Sequence, residues 1–191
     1  MASAVDICSS ALVLIGANPI SSFTEPGAGA KVSAQLYEST LQRYLTDYYW
    51  GFATKKQSLN KLSQEPLNQF TYAYQLPTDM LSIITVRPLQ TPYSVVGRFI
   101  YSNQSSLDID YIYRPDDVDL PAYFTKALEY KLASDFALAI TNNNSLNQTY
   151  EAKAQNEFAH ARSIDSRNAP PIPMVSSPFT DARNEGNSSW Q

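Results

Sequence analysis

A chain of 191 residues with 43% apolar residues can form one well-packed core with a small appendage. Its net charge of −4, with charged residues scattered along the sequence, argues against a basic face dedicated to nucleic acid. One cysteine and one histidine exclude a disulfide framework within the chain and argue against His/Cys metal sites and Cys–His catalysis.

Apolar runs are too short for a membrane helix, which needs ~18 to 20 apolar residues. Residues 1–16 also lack the basic start of a signal peptide. We therefore expect neither a membrane span nor secretion by that route.

Two helices are predicted before residue 50. The first covers residues 3–15, with Ser3 as a candidate cap and Gly16 at its end. The second covers about residues 28–48. Their inner faces follow from the helical spacing of apolar residues: Ile7, Ala11, Leu14 and Ile15 in the first, and Val32, Leu36, Leu41, Leu45 and Tyr48 in the second, with Tyr37 and Tyr44 flanking.

The middle of the chain has the alternation of β-structure, starting with the large and small residues of segment 50–53. Strands are predicted on either side of a corner at 76–81, where Pro77 fixes φ and Thr78 or Asp79 can accept a backbone N–H. A hairpin is predicted around Gly97. Segment 107–113 is the clearest half-buried strand, with Asp108 and Asp110 on its solvent face.

Two more helices are predicted after the β-region. Pro121 suits a helix N-terminus, with Asp119 as a plausible cap, and this helix runs to about Ile140. The fourth helix, 146–164, has a thin apolar stripe and a largely polar surface. The core face of the third helix is predicted to contain Leu128, Leu132, Phe136 and Ile140, with Ala127, Ala133, Ala137 and Ala139 allowing a neighbouring helix to approach closely.

Residues 168–191 contain four prolines and no periodicity, and we name this segment the C-terminal arm. Its isolated apolar residues in a polar background are typical of a segment that orders against a partner. A frayed terminus is equally consistent with the sequence. The candidate partner-binding residues of the arm are Ile172, Met174, Val175, Phe179 and Trp190.

Two groups of side chains and one histidine could carry chemistry. The first group is the carboxylates Asp108, Asp110, Asp116, Asp117 and Asp119. Carboxylates can hydrolyse glycosides or hold divalent cations, although each of these also suits a structural role in a strand, turn or cap.

The second group is aromatic and consists of Tyr44, Tyr48, Tyr49 and Trp50. These side chains could stack on bases or sugars, but a core position at the end of the second helix is favoured.

His160 has Glu157 nearby and no adjacent nucleophile, which predicts a surface or interface histidine. No catalytic residue, cofactor or metal site is predicted.

Four motifs occur in an order that resembles one known family. They are Ala4, Ile7, Cys8, Ala11, Leu12, Ile15 and Gly16 of an opening helix; Trp50, Phe52 and Ala53 of a W-x-F-A segment; Tyr74, Leu76, Pro77 and Asp79 of a Y-x-L-P-x-D corner; and Ala127, Leu128, Leu132, Ala133, Phe136, Ala137 and Ala139 of a late helix. Across roughly residues 3–165 the chain resembles the head-to-tail adaptors of short-tailed bacteriophages, also called tail tubular protein A.

The resemblance implies a non-enzymatic structural protein of the virion tail, assembled in the host cytoplasm. Family members form a closed ring, usually of about twelve copies, between the portal protein and the tail nozzle protein, with tail fibres as a further candidate partner. DNA passes through the ring without sequence-specific binding. An acidic chain suits this role, because a channel in which DNA slides should make few phosphate contacts.

The predicted fold is α+β and mainly helical: a four-helix bundle with an antiparallel β-domain inserted between helices 2 and 3. The helical domain comprises residues 1–49 and 115–167, and the β-domain residues 50–114. In the family the C-terminal region commonly reaches along the portal, which makes the arm the predicted portal contact.

Two alternatives remain open from the sequence. A virion-associated cell-wall hydrolase would use the acidic cluster and would need two carboxyl groups facing each other across a cleft. A sugar- or DNA-binding module would use the tyrosines and would need an exposed aromatic patch.

Overall fold

The computed structural model describes residues 2–63, 66 and 69–168. In this part of the chain the predicted α+β class is confirmed, with four α-helices and six β-strands. The C-terminal arm beyond Asn168, including its five candidate partner-binding residues, lies outside the described residues. The elements are α1 (Ala4–Leu14), α2 (Ala28–Thr46), β1 (Thr54–Ser58), β2 (Tyr72–Gln75), β3 (Met80–Arg87), β4 (Tyr93–Val96), β5 (Phe99–Ser102), β6 (Asp108–Tyr113), α3 (Ala122–Ala139) and α4 (Asn144–Arg167).

Helix α1 begins with a capping box. The Ser3 hydroxyl accepts a hydrogen bond from the Asp6 N–H at 3.2 Å, and the Asp6 carboxylate accepts one from the Ser3 N–H at 2.9 Å. Gly16 follows the helix with φ +77°, a conformation that favours glycine. The predicted cap and end of this helix are confirmed, and Leu12 rather than Leu14 completes its buried face.

The buried face of α2 includes Leu41 and Leu45 as predicted but is shifted towards Tyr37. Val32 and Leu36 are half-buried, whereas Tyr37 is buried. A buried tyrosine needs a partner for its hydroxyl, and the Tyr37 hydroxyl donates to the Asp117 carboxylate at 2.9 Å. The buried residues of α2 are Ala30, Ser33, Tyr37, Thr40, Leu41 and Leu45.

The described strands form two three-stranded antiparallel sheets, ordered β1-β6-β3 and β2-β5-β4. Strand β6 is central in the first sheet and is buried on both faces, so the prediction of a half-buried strand with Asp110 in solvent is wrong. Asp110 is only 8% exposed because the Arg87 guanidinium covers it at 3.0 Å, whereas Asp108 is exposed as predicted.

Segment 50–53 departs from the predicted strand. Gly51–Ala53 is a short 3-10 helix, and β1 begins at Thr54. The Trp50 indole N–H donates to the Tyr44 carbonyl at 2.9 Å, and the Gly51 N–H donates to the Asp165 carboxylate at 2.8 Å. The Gly51 N–H therefore takes part in a tertiary contact instead of a sheet ladder.

Helix α3 packs most extensively against α4 and also contacts α1 and α2. The predicted core positions are confirmed apart from Ala139, which is exposed, and Ile140, which is half-buried at the helix end. Asp119 does not cap this helix: it lies in the 3-10 helix Asp117–Asp119, and Pro121 occupies the N-cap position. Asn143 caps α4 by accepting the Leu146 N–H at 3.1 Å.

Buried residues fall into two clusters. The larger joins the four helices with Trp50, Ala53 and Ile112, and the smaller lies among the strands and includes Tyr74, Leu76, Ile100, Ile109 and Tyr111. Strand β6 therefore contributes to both clusters. Across the residues described, none of the helices has the length and apolar character needed to cross a membrane.

Candidate functional site

Of the five carboxylates predicted as a cluster, Asp108, Asp110 and Asp117 have separate side-chain partners, whereas Asp116 and Asp119 are exposed at the two ends of the 3-10 helix. Asp110 pairs with Arg87, and Asp108 accepts a hydrogen bond from the Ser58 hydroxyl of the neighbouring strand. Among the described residues, no group of three or more His, Cys, Asp or Glu side chains is arranged to hold a metal ion. The contacts of Asp108 and Asp110 favour the structural interpretation of these side chains.

Arg114 joins α2 to the segment that leads into α3. Its guanidinium contacts the Glu38 carboxylate at 3.0 and 3.2 Å and the Asp117 carboxylate at 2.7 Å. The hydrogen bonds from Arg114 hold the pKa of Glu38 below its usual value, against the opposing effect of burial. Burial, followed by the bond to Asp117, raises the pKa of the Tyr37 hydroxyl. The arrangement is a charged junction between elements distant in sequence.

The corner at 76–81 is fixed by contacts across the strands. The Asp79 carboxylate accepts a hydrogen bond from the Lys55 ammonium at 2.9 Å. It also lies 3.2 Å from the Tyr111 hydroxyl, whose single proton is shared between Asp79 and the side-chain oxygen of Gln57, also at 3.2 Å. Its hydrogen bond from Lys55 lowers the pKa of Asp79. The Arg98 guanidinium also donates to the Pro77 carbonyl at 3.3 Å. The predicted role of Asp79 as a cap of the corner is therefore replaced by a role in joining β1, the corner and β6.

The aromatic group at the end of α2 is mostly core. Trp50 is fully buried, and its ring lies edge-on to Phe124 with centroids 5.0 Å apart. Tyr44 stacks on Phe158 at 4.1 Å. The core interpretation is confirmed for Trp50, whereas Tyr49 is 64% exposed. A continuous stacking surface for bases or sugars is not formed by these side chains.

Asp165 is a buried carboxylate that the sequence reasoning missed. It is 5% exposed and accepts hydrogen bonds from the Gly51 N–H and the Tyr123 hydroxyl, both at 2.8 Å. Burial, followed by the bond to Asp165, raises the pKa of Tyr123. A signal existed: Asp165 falls on the buried stripe of α4, four residues after Ala161. It ties the end of α4 to α3 and to the turn after Trp50.

The remaining titratable candidates are His160 and Cys8, and the surroundings of neither indicate catalysis. His160 is exposed, as predicted, with its ring nitrogen 3.6 Å from the Glu157 carboxylate. Cys8 is buried in α1, and burial raises the pKa of its thiol to about 12. At neutral pH this thiol is protonated and a poor nucleophile.

The hairpin β4–β5 carries an exposed apolar surface, which we name the hairpin patch. Its members are Leu89, Tyr93, Val95, Val96 and Phe99. The predicted hairpin is confirmed, with Val96 opposite Phe99 and a two-residue turn between them. By the alternation of side chains along a strand, Tyr93 and Val95 lie on one face of the hairpin and Val96 and Phe99 on the other. Exposed apolar residues grouped around one strand mark protein interaction sites. The patch is the candidate functional surface of the described residues.

Comparison with known proteins found neither a matching family model nor a matching curated protein.

Proposed function

We propose that this chain is a head-to-tail adaptor of a short-tailed bacteriophage. In this proposal about twelve copies form a closed ring between the portal protein and the tail nozzle protein, and DNA passes through the ring. Helices α1 to α4 form a bundle made of residues 1–49 and 115–167. The strands form a β-domain, residues 50–114, inserted between α2 and α3, and the C-terminal arm binds portal.

The observation that carries the proposal is the packing of the motif residues. Ile7 of the opening helix, Trp50 of the W-x-F-A segment and Phe136 of the late helix belong to the same buried cluster, although they are far apart in sequence. Tyr74 and Leu76 of the corner belong to the cluster among the strands. The motifs that resemble the adaptor family thus supply the interior of one scaffold.

The contacts described above also favour a structural role over a hydrolytic one. Asp110 and Asp117 are each paired with an arginine, and Asp79 and Asp165 join separate elements. Interactions of this kind set the relative positions of elements, which a ring subunit must hold constant between copies.

The test is assembly on the portal protein of the same phage. Size-exclusion chromatography with light scattering should show that portal rings gain the mass of about twelve copies of a 21.3 kDa chain. Portal alone and the adaptor alone are the controls. Failure to add mass to native portal rings would contradict the proposal.

A further inference from the structure

The described sheets differ in how their outer strands are protected. Strand β1 lies at one edge of its sheet and carries Lys55 and Lys56, and charged side chains discourage pairing with another chain. Strand β4 lies at an edge of the other sheet and has the sequence Tyr-Ser-Val-Val. It contains neither charge nor proline, and none of the described strands pairs with its outer side.

The backbone of β4 offers hydrogen-bonding groups to a further strand. Gly97 has φ +62° at the first turn position while Arg98 does not have a positive φ, the pattern of a type II′ turn. In such a hairpin Val96 and Phe99 form the hydrogen-bonded closing pair, and the next pair, Val95 and Ile100, is not hydrogen-bonded. The Val95 N–H and C=O therefore point away from β5.

The charged side chains in the segment that contains this edge are all positive. Residues 80–107 contain no acidic residue and no lysine, and their two charged residues are Arg87 and Arg98. Arg87 is paired with Asp110, whereas Arg98 makes no ion pair with the described residues. Arg98 adjoins the turn at one end of β4, so a carboxylate placed there would meet an uncompensated positive charge.

The size of the hairpin patch argues against a second copy of this chain as the occupant. Its five side chains are each roughly half exposed and would bury on the order of 500 Å². A stable interface needs about 800 Å² from each partner. An added strand is different, because main-chain hydrogen bonds supplement the buried side chains. The β4 strand of a second copy would bring no carboxylate to Arg98, because residues 80–107 contain no acidic residue.

We propose that β4 binds an extended segment of a partner protein as a fourth strand of its sheet, a segment with apolar side chains at alternate positions and a carboxylate beside Arg98. The main-chain groups of Val95 pair with the segment, and Tyr93 and Val95, which lie on one face of β4, flank its apolar side chains. This inference does not depend on the adaptor function, since it uses only the edge, the patch and the charge.

The probe is the peptide acetyl-Asp-Thr-Val-Thr-Val-Thr-Asp-amide, compared with the same peptide carrying Asn in place of both Asp residues. Binding to the full chain is measured by fluorescence anisotropy, and amide exchange is followed by NMR. We expect the acidic peptide to bind more tightly than about 1 mM and to protect the Val95 N–H from exchange. The Asn peptide should bind several-fold more weakly.

Three variants locate the contact. Val95→Pro removes the outward N–H without removing a β4–β5 hydrogen bond, and should weaken binding at least about tenfold. Val95→Thr keeps the N–H and the β-branched shape and is the matched control, expected within about threefold of the original chain. Arg98→Gln should abolish the preference for the acidic peptide.

Several results would overturn the proposal. These are the absence of binding by either peptide, equal binding by the Val95→Pro variant in its folded form, and an unchanged preference in Arg98→Gln. If Val95→Pro does not fold, exchange protection of Val95 and the Arg98→Gln result decide the question. Self-association of the original chain that Val95→Pro removes would assign the edge to a second copy instead.

Discussion

At the corner between β2 and β3, Asp79 accepts hydrogen bonds from Lys55 on β1 and Tyr111 on β6. The contact with Lys55 lies at the surface, where both side chains are more than 40% exposed, and such pairs contribute little to stability. The Tyr111 hydroxyl is part of the buried face of β6, so its bond to Asp79 is the more important of the two.

The first prediction concerns Asp79→Ala. Loss of the bond to Tyr111 should lower the free energy of unfolding by about 1 kcal/mol and the melting temperature by about 2 to 4 °C. Lys55→Ala is the control, because it removes the exposed ion pair with Asp79 and leaves the contact between Asp79 and Tyr111. It should lower the melting temperature less than Asp79→Ala does. An unchanged melt in Asp79→Ala combined with failed tail attachment would instead make this corner an interface.

The second prediction is a pH dependence caused by Glu38. Because the hydrogen bonds from Arg114 lower its pKa in the folded chain, ionised Glu38 stabilises the fold above its ordinary pKa of 4.5. This contribution is lost as the pH falls through the lower pKa of the folded state. The Glu38→Gln variant should therefore be less stable than the original chain at neutral pH. Its free energy of unfolding should also fall less as the pH is lowered.

Urea denaturation at a series of pH values from neutral to below 4 measures this effect. Glu157→Gln is the matched control for the loss of one carboxylate, since Glu157 contacts the exposed His160. Parallel pH profiles for the original chain and Glu38→Gln would contradict the assigned role of Arg114.

At the scale of elements, α1 illustrates what the sequence can predict. Ser3, the periodic apolar residues and Gly16 are all local signals, and the cap and the end of the helix are confirmed. Ile7, Ala11 and Ile15 are buried as predicted, whereas Leu14 is half-buried. In α2 the spacing predicts the burial of Leu41 and Leu45 but puts Tyr37 at the flank, because the burial of Tyr37 depends on Asp117, a partner 80 residues away. Local spacing cannot supply such a partner.

Strand β6 shows a second limit of prediction from local sequence patterns. Its alternation of Asp and apolar residues predicts a solvent face, but Arg87 from β3 neutralises and covers Asp110. In the same way, the pattern of β4 predicts a strand without indicating that it lies at an edge. The hairpin patch follows from the strand order, which alternation does not encode.

The third prediction belongs to the C-terminal arm. Deleting residues 168–191 should abolish binding to portal. It should leave the melting temperature almost unchanged, because the only described residue that it removes is Asn168, the C-cap of α4. The sequence of the arm contains four prolines, and proline-rich segments as a class lose less entropy on docking. Preserved portal affinity after the deletion would place the contact on the helices.

A point variant tests the arm more sharply. Trp190→Ala should weaken portal binding by roughly 2 kcal/mol or more, because large aromatic residues dominate binding hot spots. Ser188→Ala, two residues earlier, is the matched control and should bind like the original chain. Affinities can be measured by biolayer interferometry on immobilised portal rings.

At the scale of the whole molecule, the described surface has few apolar areas that could hold copies together. Outside the hairpin patch, the large apolar side chains exposed among the described residues are Val13, Tyr49, Val118 and Leu138. The hairpin patch itself is smaller than a stable interface requires. Ring formation in the proposed function therefore needs a template that brings the copies together.

The fourth prediction is that the isolated chain is a monomer. Light scattering across a concentration series should give the mass of one 21.3 kDa chain. Addition of portal protein is the positive control. A stable dodecamer formed in the absence of portal would contradict the requirement for a template.

The position of α3 at the centre of the helices has a consequence for synthesis on the ribosome. The buried face of α1 packs against α3, whose first residue follows Ala4 by 118 positions. At about 5 to 20 residues per second, α1 waits roughly 6 to 24 s for this partner. Until then Ile7 and Leu12 have no native cover from α3, so the nascent chain is most open to chaperone binding, and to aggregation, before the last third of the protein has emerged.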